Sequence, residues 1–254
     1  MSKFNCNQKG RCPKYNTNPI EGHCFNGYIY YEDKDKNEVV KKCDRLKKYI
    51  ESQQLNIRLK KASIPRSDFV LNYDIDKSYF GEESIGSVSV IKSYILNFKE
   101  LGFEKHMYFH GVPSTQKTTL AFYIGRELTK KGFKVKYILM DFLIKILMSE
   151  KFEDGQAEII KQVIDADCLI IDESFDKQKI NWYKSDYQLS FIDSFLRTRL
   201  DQFNRSTIFI SNKMVENVKE FSNNLFNFIE RNTLDHQLEF KDILNNNFNA
   251  VKDM

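Results

Sequence analysis

The chain has 254 residues, of which 41% are hydrophobic, and this composition supports a folded core and excludes wholesale disorder. No apolar run reaches the ~18 residues that a membrane span needs, and no apolar signal segment opens the sequence. We therefore expect a cytoplasmic protein with no membrane contact. Its length favours one large module accompanied by a small one.

The net charge of +4 is unevenly distributed. Residues 1–61 contain 14 Lys and Arg against 7 Asp and Glu, whereas the remainder contains 25 against 28. A basic segment of this kind favours docking to an acidic protein surface or to nucleic acid. The alternative is a solvated, lysine-rich helix with no partner.

Four of the five cysteines lie in the first 43 residues, namely Cys6, Cys12, Cys24 and Cys43. In a cytosolic protein such a cluster indicates a metal before a disulfide, and four thiolates can close a tetrahedral zinc site. His23 is an alternative ligand to Cys6. The competing interpretation places Cys43 in the apolar stripe of a helix and leaves the others as free thiols. Cys168 is interpreted as a buried strand residue.

Local patterns predict the elements of the N-terminal part. Residues 27–31 read as a strand, and a helix is expected from Glu38, because Val39, Cys43, Leu46 and Ile50 recur at helical spacing. Pro65 should stop this helix, since the residue before a proline is driven out of the α region. Residues 63–85 then form the expected linker.

Beyond the linker, predicted helices and strands alternate. Helices are expected near residues 91–98, 120–128, 159–164 and 189–203, and strands at residues 107–109, 135–140, 168–171 and 207–210. Such alternation predicts the α/β class, with a mostly parallel sheet covered by helices on both faces. His106 and His110 flank the first of these strands and are expected to be structural.

A phosphate loop is predicted where HGVPSTQKTTLA follows a strand and opens a helix. Lys117 would neutralise phosphate charge, and the Thr118 hydroxyl would ligate Mg²⁺. Gln116 occupies the position of the motif's second glycine, which costs roughly 1–2 kcal/mol if the backbone there has φ > 0. The residues expected to contact ATP are Gly111, Val112, Pro113, Ser114, Thr115, Gln116, Lys117, Thr118 and Thr119.

Two further strand ends fit the same site. The apolar run 168–171 ends in Asp172 and Glu173, which would reach the carboxyl edge of the sheet beside the loop. Asp172 would hold Mg²⁺, and Glu173 would orient and deprotonate the attacking water. Asn212 ends the next strand, where its amide could sense the γ-phosphate. Each of these features is also compatible with an ordinary strand end or turn.

These elements, in this order, resemble the AAA+ helicase loaders of the DnaC and DnaI type and the IstB transposition ATPases, over roughly residues 60–240. The resemblance implies an AAA+ phosphate-loop ATPase domain at residues 86–254, without a helical lid. Only 23 residues follow Arg231, too few for three helices. The segment 225–242 resembles the part of these proteins that carries the arginine finger. Arg231 is the best candidate for that finger, with Arg197, Arg199 and Arg205 as competitors.

The resemblance also implies a zinc-binding module at residues 1–62 that docks on a replicative hexameric helicase. The leading hypothesis is thus a helicase loader that uses ATP, Mg²⁺ and Zn²⁺, contacts single-stranded DNA and self-associates through its ATPase domain. Two alternatives are an IstB-like regulator on duplex DNA, and a nucleotide-binding module with little hydrolysis because of Gln116.

Overall fold

The computed structural model describes residues 23–25, 27–32, 34–65, 72–75, 85–102, 106–149, 155–175, 186–199, 203, 205–233 and 236–240. The chain divides into two compact units, Met1–Arg58 and Leu59–Met254. In the part that is described, no helix is long and apolar enough to cross a membrane. Cys6 and Cys12 lie outside the described residues, as does segment 241–254, on which the expected lack of a lid depends.

The first unit contains a small antiparallel sheet and most of a helix. Strands β1 (His23–Phe25), β2 (Tyr28–Glu32) and β3 (Glu38–Lys42) pair in that order, and Gly27 has φ 90° between the first two. Helix α1 (Asp44–Lys61) ends before Pro65, as predicted. The helix start predicted at Glu38 is wrong, because residues 38–42 extend along β2 and satisfy their backbone groups there.

Cys43 therefore lies before α1 and not in its apolar stripe. Its carbonyl accepts the N–H of Lys47 at 3.0 Å, and its Sγ accepts the N–H of Leu46 at 3.4 Å. The residue thus caps the helix by satisfying two donors of the first turn. Its own N–H donates to the carbonyl of Gly27 at 2.7 Å, which ties the helix start to the turn between β1 and β2.

The second unit is built on a parallel sheet whose five described strands follow the order β5-β6-β7-β4-β8. These strands are β4 (Met107–Gly111), β5 (Val135–Leu139), β6 (Cys168–Asp172), β7 (Ser206–Ile210) and β8 (Gln237–Phe240). All described pairings are parallel, so the predicted sheet type is confirmed. Strand β8 was not predicted, because four residues give too short a signal for alternation.

The connecting helices cover both faces of this sheet. They are α2 (Ile85–Leu96), α3 (Lys117–Lys130), α4 (Met140–Leu147), α5 (Gln156–Asp165), α6 (Asp186–Arg197) and α7 (Asn223–Thr233), with a 3-10 helix at Val215–Glu220. One core packs Tyr108, Leu169 and Phe209 against α4, α6 and α7. The opposite face meets α3, where a Cβ on Gly125 would lie 3.2 Å from Ile170 Cδ1.

One predicted boundary in this unit is wrong. Met140 begins α4 and does not end β5, because its apolar run continues from the strand into the helix and hides the change of period. The helix expected to reach residue 203 is α-helical from Asp186 to Arg197, and the N–H of Phe203 donates to the Thr198 carbonyl at 3.3 Å, while residues 200–202 lie outside the described part of the chain. The short helix α4 was not predicted, because the apolar run continues into it from β5 and hides its helical period. Leu143, Ile144 and Ile146 form its buried side.

Candidate nucleotide site

The loop between β4 and α3 begins at Gly111, and only glycine fits there. Its φ is 133°, and a Cβ at this position would lie 2.0 Å from the carbonyl oxygen of Phe240 in β8. The backbone of the neighbouring strand therefore occupies the space of a side chain. The first glycine of the predicted motif is thus required both by its conformation and by its close packing.

The loop closes on α3 through two non-glycine residues in the left-handed region, Ser114 (φ 66°) and Gln116 (φ 64°). Gln116 is the N-cap of α3, and its carbonyl accepts the N–H of Leu120 at 2.9 Å. Gln116 therefore meets the condition under which the sequence analysis assigned it a conformational cost, because its backbone has φ > 0. Its conformation costs roughly 1–2 kcal/mol that a glycine would avoid.

Lys117 folds back onto the loop. Its Nζ donates to the carbonyl oxygens of Gly111 at 2.9 Å and Val112 at 2.7 Å, and to Thr115 Oγ1 at 3.2 Å. Burial lowers the pKa of this ammonium group, and the charge of Asp172 opposes that shift. The loop carbonyls thus hold the partly desolvated ammonium group of Lys117 at the N-terminus of α3, where an anionic phosphate group is favoured.

Asp172 at the end of β6 is the centre of the site's polar contacts. Its Oδ2 accepts the Thr118 hydroxyl at 2.8 Å and the Tyr137 hydroxyl at 3.0 Å, while its Oδ1 accepts the N–H of Glu173 at 2.7 Å. A hydroxyl and a carboxylate are oxygen donors of the kind that Mg²⁺ prefers, and the remaining ligands would be water and phosphate oxygens. The structure therefore brings together the two predicted magnesium ligands.

Glu173 and Asn212 lie at the same edge of the sheet. The N–H of Ser174 donates to Ile210 O at 2.7 Å, and the N–H of Ser211 donates to Phe109 O at 2.8 Å, so pairing continues beyond the strand ends. Glu173 itself has φ 55°. A cavity of about 400 Å³ is lined by Pro113, Ser114, Thr115, Gln116, Lys117, Thr118, Thr119, Asp172, Glu173, Ile210, Ser211 and Asn212.

Most of the residues predicted to contact the nucleotide therefore line one cavity, whereas Gly111 and Val112 are not part of its lining. Sequence reasoning missed Tyr73 and Tyr137. The hydroxyl of Tyr73 lies 3.5 Å from Gln116 Oε1. Tyr137 lies two residues before the end of β5, and β5 pairs with β6, the strand that ends at Asp172. Its contact with Asp172 could have been predicted only if the order of these strands had been known.

The candidate arginines differ in their surroundings. Arg231 is exposed in the last turn of α7 and does not line the cavity. Arg197 binds Asp193 at 2.8 Å and stacks on Phe228, and Arg205 contacts the Ile164 carbonyl and Asp165. Arg199 is 2% exposed and donates to the carbonyls of Val163, Ala166 and Ser206, so it is a structural residue and cannot reach another subunit.

Of the two histidines expected to flank the strand, His106 precedes β4, whereas His110 lies within it. His106 is buried, and its Nδ1 accepts the N–H of Thr207 at 3.0 Å, which is a structural role. His110 is in β4 and nearly buried, and its Nδ1 has no hydrogen-bond partner among the described residues. Burial lowers the pKa of both imidazoles, that of His106 to about 3.

The cysteine predictions are answered only in part. Cys168 is fully buried in β6, as predicted, and burial raises the pKa of its thiol to about 12. Cys24 lies in β1 and Cys43 precedes α1. Among the residues that the structure describes, no group of three potential ligands is placed to hold a metal ion. A zinc site is therefore not shown.

No protein-family model matches the chain, and no curated protein matches it by sequence. Solved structures do resemble it. The DnaC helicase loader matches at 21% identity and a TM-score of 0.51, over 69% of this chain and 99% of that chain. DnaI matches at 13% identity and a TM-score of 0.52, over 72% and 96%.

A third similar structure is DnaA from Aquifex aeolicus bound to AMPPCP, with 19% identity and a TM-score of 0.55. That match covers 72% of this chain, which spans about half of the DnaA chain. The described fold is accordingly similar to that of the DnaC, DnaI and DnaA structures.

Proposed function

We propose that this chain is an ATP-dependent helicase loader, which delivers a replicative hexameric DNA helicase onto single-stranded DNA during replication initiation. The observation that carries the proposal is the Thr118–Asp172 pair at 2.8 Å beside a loop that ends in Lys117. The AAA+ fold, matched along 99% of the DnaC helicase loader, supports the same assignment.

The residues of the cavity fit ATP and Mg²⁺. Backbone N–H groups of the loop and of the first turn of α3 supply donors for phosphate oxygens. Lys117 would exchange its bonds to the Gly111 and Val112 carbonyls for bonds to phosphate. Mg²⁺, when bound, would neutralise charge that develops on the transferred phosphoryl group. Thr118 would ligate it directly, and Asp172 would hold its water ligands.

Glu173 and Asn212 have the remaining roles in hydrolysis. Glu173 follows Asp172 and lines the cavity, so its carboxylate would orient the attacking water and accept its proton. Asn212 lines the same cavity from the end of β7, and its amide would contact the γ-phosphate or that water. No arginine is among the described residues that line the cavity. Arg231 of a neighbouring subunit would supply the arginine finger that stabilises the transition state.

The N-terminal module at residues 1–62, followed by a linker at 63–85, would dock on the helicase. Residues 1–61 contain 14 basic and 7 acidic residues, and this positive charge complements an acidic partner surface. Cys6, Cys12, Cys24 and Cys43 would bind Zn²⁺ there. Metal analysis of the purified protein tests this part, and one zinc per chain that is lost in a Cys24→Ser variant is the expected result.

Nucleotide binding and helicase association test the whole proposal. We expect a fluorescent ATP analogue to bind in the presence of Mg²⁺, and Lys117→Ala to abolish this binding while the protein stays folded. Co-purification with the replicative helicase of the same cell is expected as well. Failure to associate with any helicase would overturn the loader assignment, and a preference for duplex over single-stranded DNA would favour an IstB-like regulator.

A second candidate function is a nucleotide-binding module that hydrolyses ATP poorly. It is favoured by Gln116, whose backbone is left-handed and whose side chain lines the cavity where a glycine would leave space. Tight nucleotide binding without measurable phosphate release, at any protein concentration, would favour this candidate.

A further inference from the structure

Asp172 receives one hydrogen bond that the proposed mechanism leaves without a role. Its bonds from Thr118 and from the Glu173 N–H belong to the magnesium site and to the adjoining backbone. The third comes from the hydroxyl of Tyr137, which donates to Oδ2 at 3.0 Å. This tyrosine lies on β5, and it is absent from the residues that line the cavity.

Tyr137 is held from several directions. Leu139 of β5 is in register with Asp172, so Tyr137 lies two residues earlier on the same face of the sheet, at the diagonal position of the pair. Its ring makes an edge contact with Phe122 of α3 at 4.9 Å. Its backbone N–H donates to the carbonyl of Ala62 at 2.8 Å along the open edge of β5.

These contacts hold the phenol oxygen of Tyr137 within hydrogen-bonding distance of Asp172 without any bound nucleotide or metal ion. A hydrogen bond to an ionised carboxylate is roughly twice as strong as a neutral one. With Oδ1 and Oδ2 both bonded, the Asp172 carboxylate is kept in one orientation, which lowers the cost of organising it around a cation.

We propose that Tyr137 is a positioning residue, whose hydroxyl orients Asp172 for Mg²⁺ in the nucleotide site. The inference rests on the proposed function, because it presupposes that Asp172 serves a magnesium ion. If this inference holds, loss of the hydroxyl raises the Mg²⁺ concentration that nucleotide binding requires. Nucleotide binding in the absence of Mg²⁺ stays unchanged.

The experiment is a Mg²⁺ titration of the binding of a fluorescent ATP analogue to the full chain. In Tyr137→Phe, which keeps the ring on Phe122, the Mg²⁺ concentration at half-saturation should rise roughly 10-fold. Binding in EDTA should equal that of the unmodified protein. In an Asp172→Asn background the same substitution should have no further effect, because the oriented carboxylate is gone.

Tyr94→Phe is the matched control. It removes a buried hydroxyl that contacts Ser206 Oγ at 2.6 Å, at the start of β7 and away from the carboxyl edge. This control should lower the thermal unfolding midpoint without moving the Mg²⁺ titration. If Tyr137→Phe does not fold, Tyr137→Met, which keeps an apolar side chain of similar length, should show the same shift.

An unchanged Mg²⁺ midpoint in a folded Tyr137 variant would overturn this inference and leave the proposed function intact. An equal effect of Tyr137→Phe in the Asp172→Asn background would overturn it too, because the hydroxyl would then not act through Asp172. If the unmodified protein binds no nucleotide with Mg²⁺, the proposed function fails first, and that outcome is distinct from both.

Discussion

The hydroxyl of Tyr73 lies 3.5 Å from Oε1 of Gln116, so a residue from outside the phosphate loop reaches the side chain that replaces its glycine. Tyr73 is itself anchored, because Arg126 Nη2 donates to its carbonyl at 3.0 Å and its ring packs on Tyr123. Gln116 thus has a polar neighbour that favours one place for its amide. The glutamine that replaces the motif's second glycine is thus accompanied by a contact from Tyr73 to its side-chain amide.

Replacing Gln116 by glycine should stabilise the protein and strengthen nucleotide binding. The φ of 64° suits glycine, so we expect the free energy of unfolding to rise by roughly 0.5–1 kcal/mol after the entropy of the new glycine is subtracted. Removing the side chain also opens the cavity to phosphate. Thermal unfolding and titration with a fluorescent ATP analogue measure the two effects.

Ser114→Gly is the matched control for that substitution, because Ser114 has φ 66° in the same loop. It should give a similar gain in stability with a smaller change in nucleotide affinity, since serine leaves more room than glutamine. Equal nucleotide affinity in Gln116→Gly and the unmodified protein would contradict the idea that this side chain limits binding.

Glu173→Gln should separate nucleotide binding from hydrolysis. The amide keeps the size of the side chain but cannot accept a proton, so turnover should fall by roughly 10²-fold or more while nucleotide affinity stays nearly unchanged. Phosphate release and equilibrium binding are the measurements. A variant that hydrolyses ATP as fast as the unmodified protein would exclude Glu173 as the base.

Arg231→Ala should abolish turnover without affecting nucleotide binding by a single subunit. Loss of an arginine finger costs roughly 10³-fold or more in rate, and the activity of the unmodified protein should rise with protein concentration if the finger comes from a neighbour. Arg197→Ala is the control, because Arg197 is engaged by Asp193 and Phe228 within its own subunit. Equal losses in both variants would argue against Arg231.

Stability should depend on pH through His106. Burial, assisted by the charge of Arg199, lowers its pKa from 6.5 to about 3, so the folded state keeps it neutral and able to accept the Thr207 N–H. The unfolded chain takes up a proton below pH 6.5. The stabilising contribution is therefore complete above pH 6.5 and is lost between pH 6.5 and about 3, with a slope approaching about 1.4 kcal/mol per pH unit.

Chemical denaturation at several pH values checks this contribution. His106→Asn keeps an acceptor for the Thr207 N–H but does not titrate, so its free energy of unfolding should fall less steeply than that of the unmodified protein between pH 6.5 and 4. Carboxyl groups titrate equally in both proteins and cancel in the comparison. Parallel pH profiles would show that His106 does not remain neutral in the folded state.

Much of the candidate site could be read from short stretches of sequence. These readable features are the phosphate loop, the strand ends at Asp172 and Asn212, and the glutamine at the position of the motif's second glycine. Each of them depends on residues that are close in sequence. The same local signals failed where two elements of different period adjoin. The missed start of α4 at Met140 and the strand at residues 38–42 are such places.

The pairing of distant residues was decided by the fold. Asp172 meets Tyr137, which is 35 positions away, only because β5 and β6 are parallel neighbours in this register. Gly111 must be glycine because the backbone of Phe240 passes against it, and nothing near either residue predicts their contact. Arg199 is excluded as an arginine finger because carbonyls from the C-terminal end of α5 and from the start of β7 surround its guanidinium group. Short-range chemistry thus names the reacting groups, and strand order and register determine which side chains orient them.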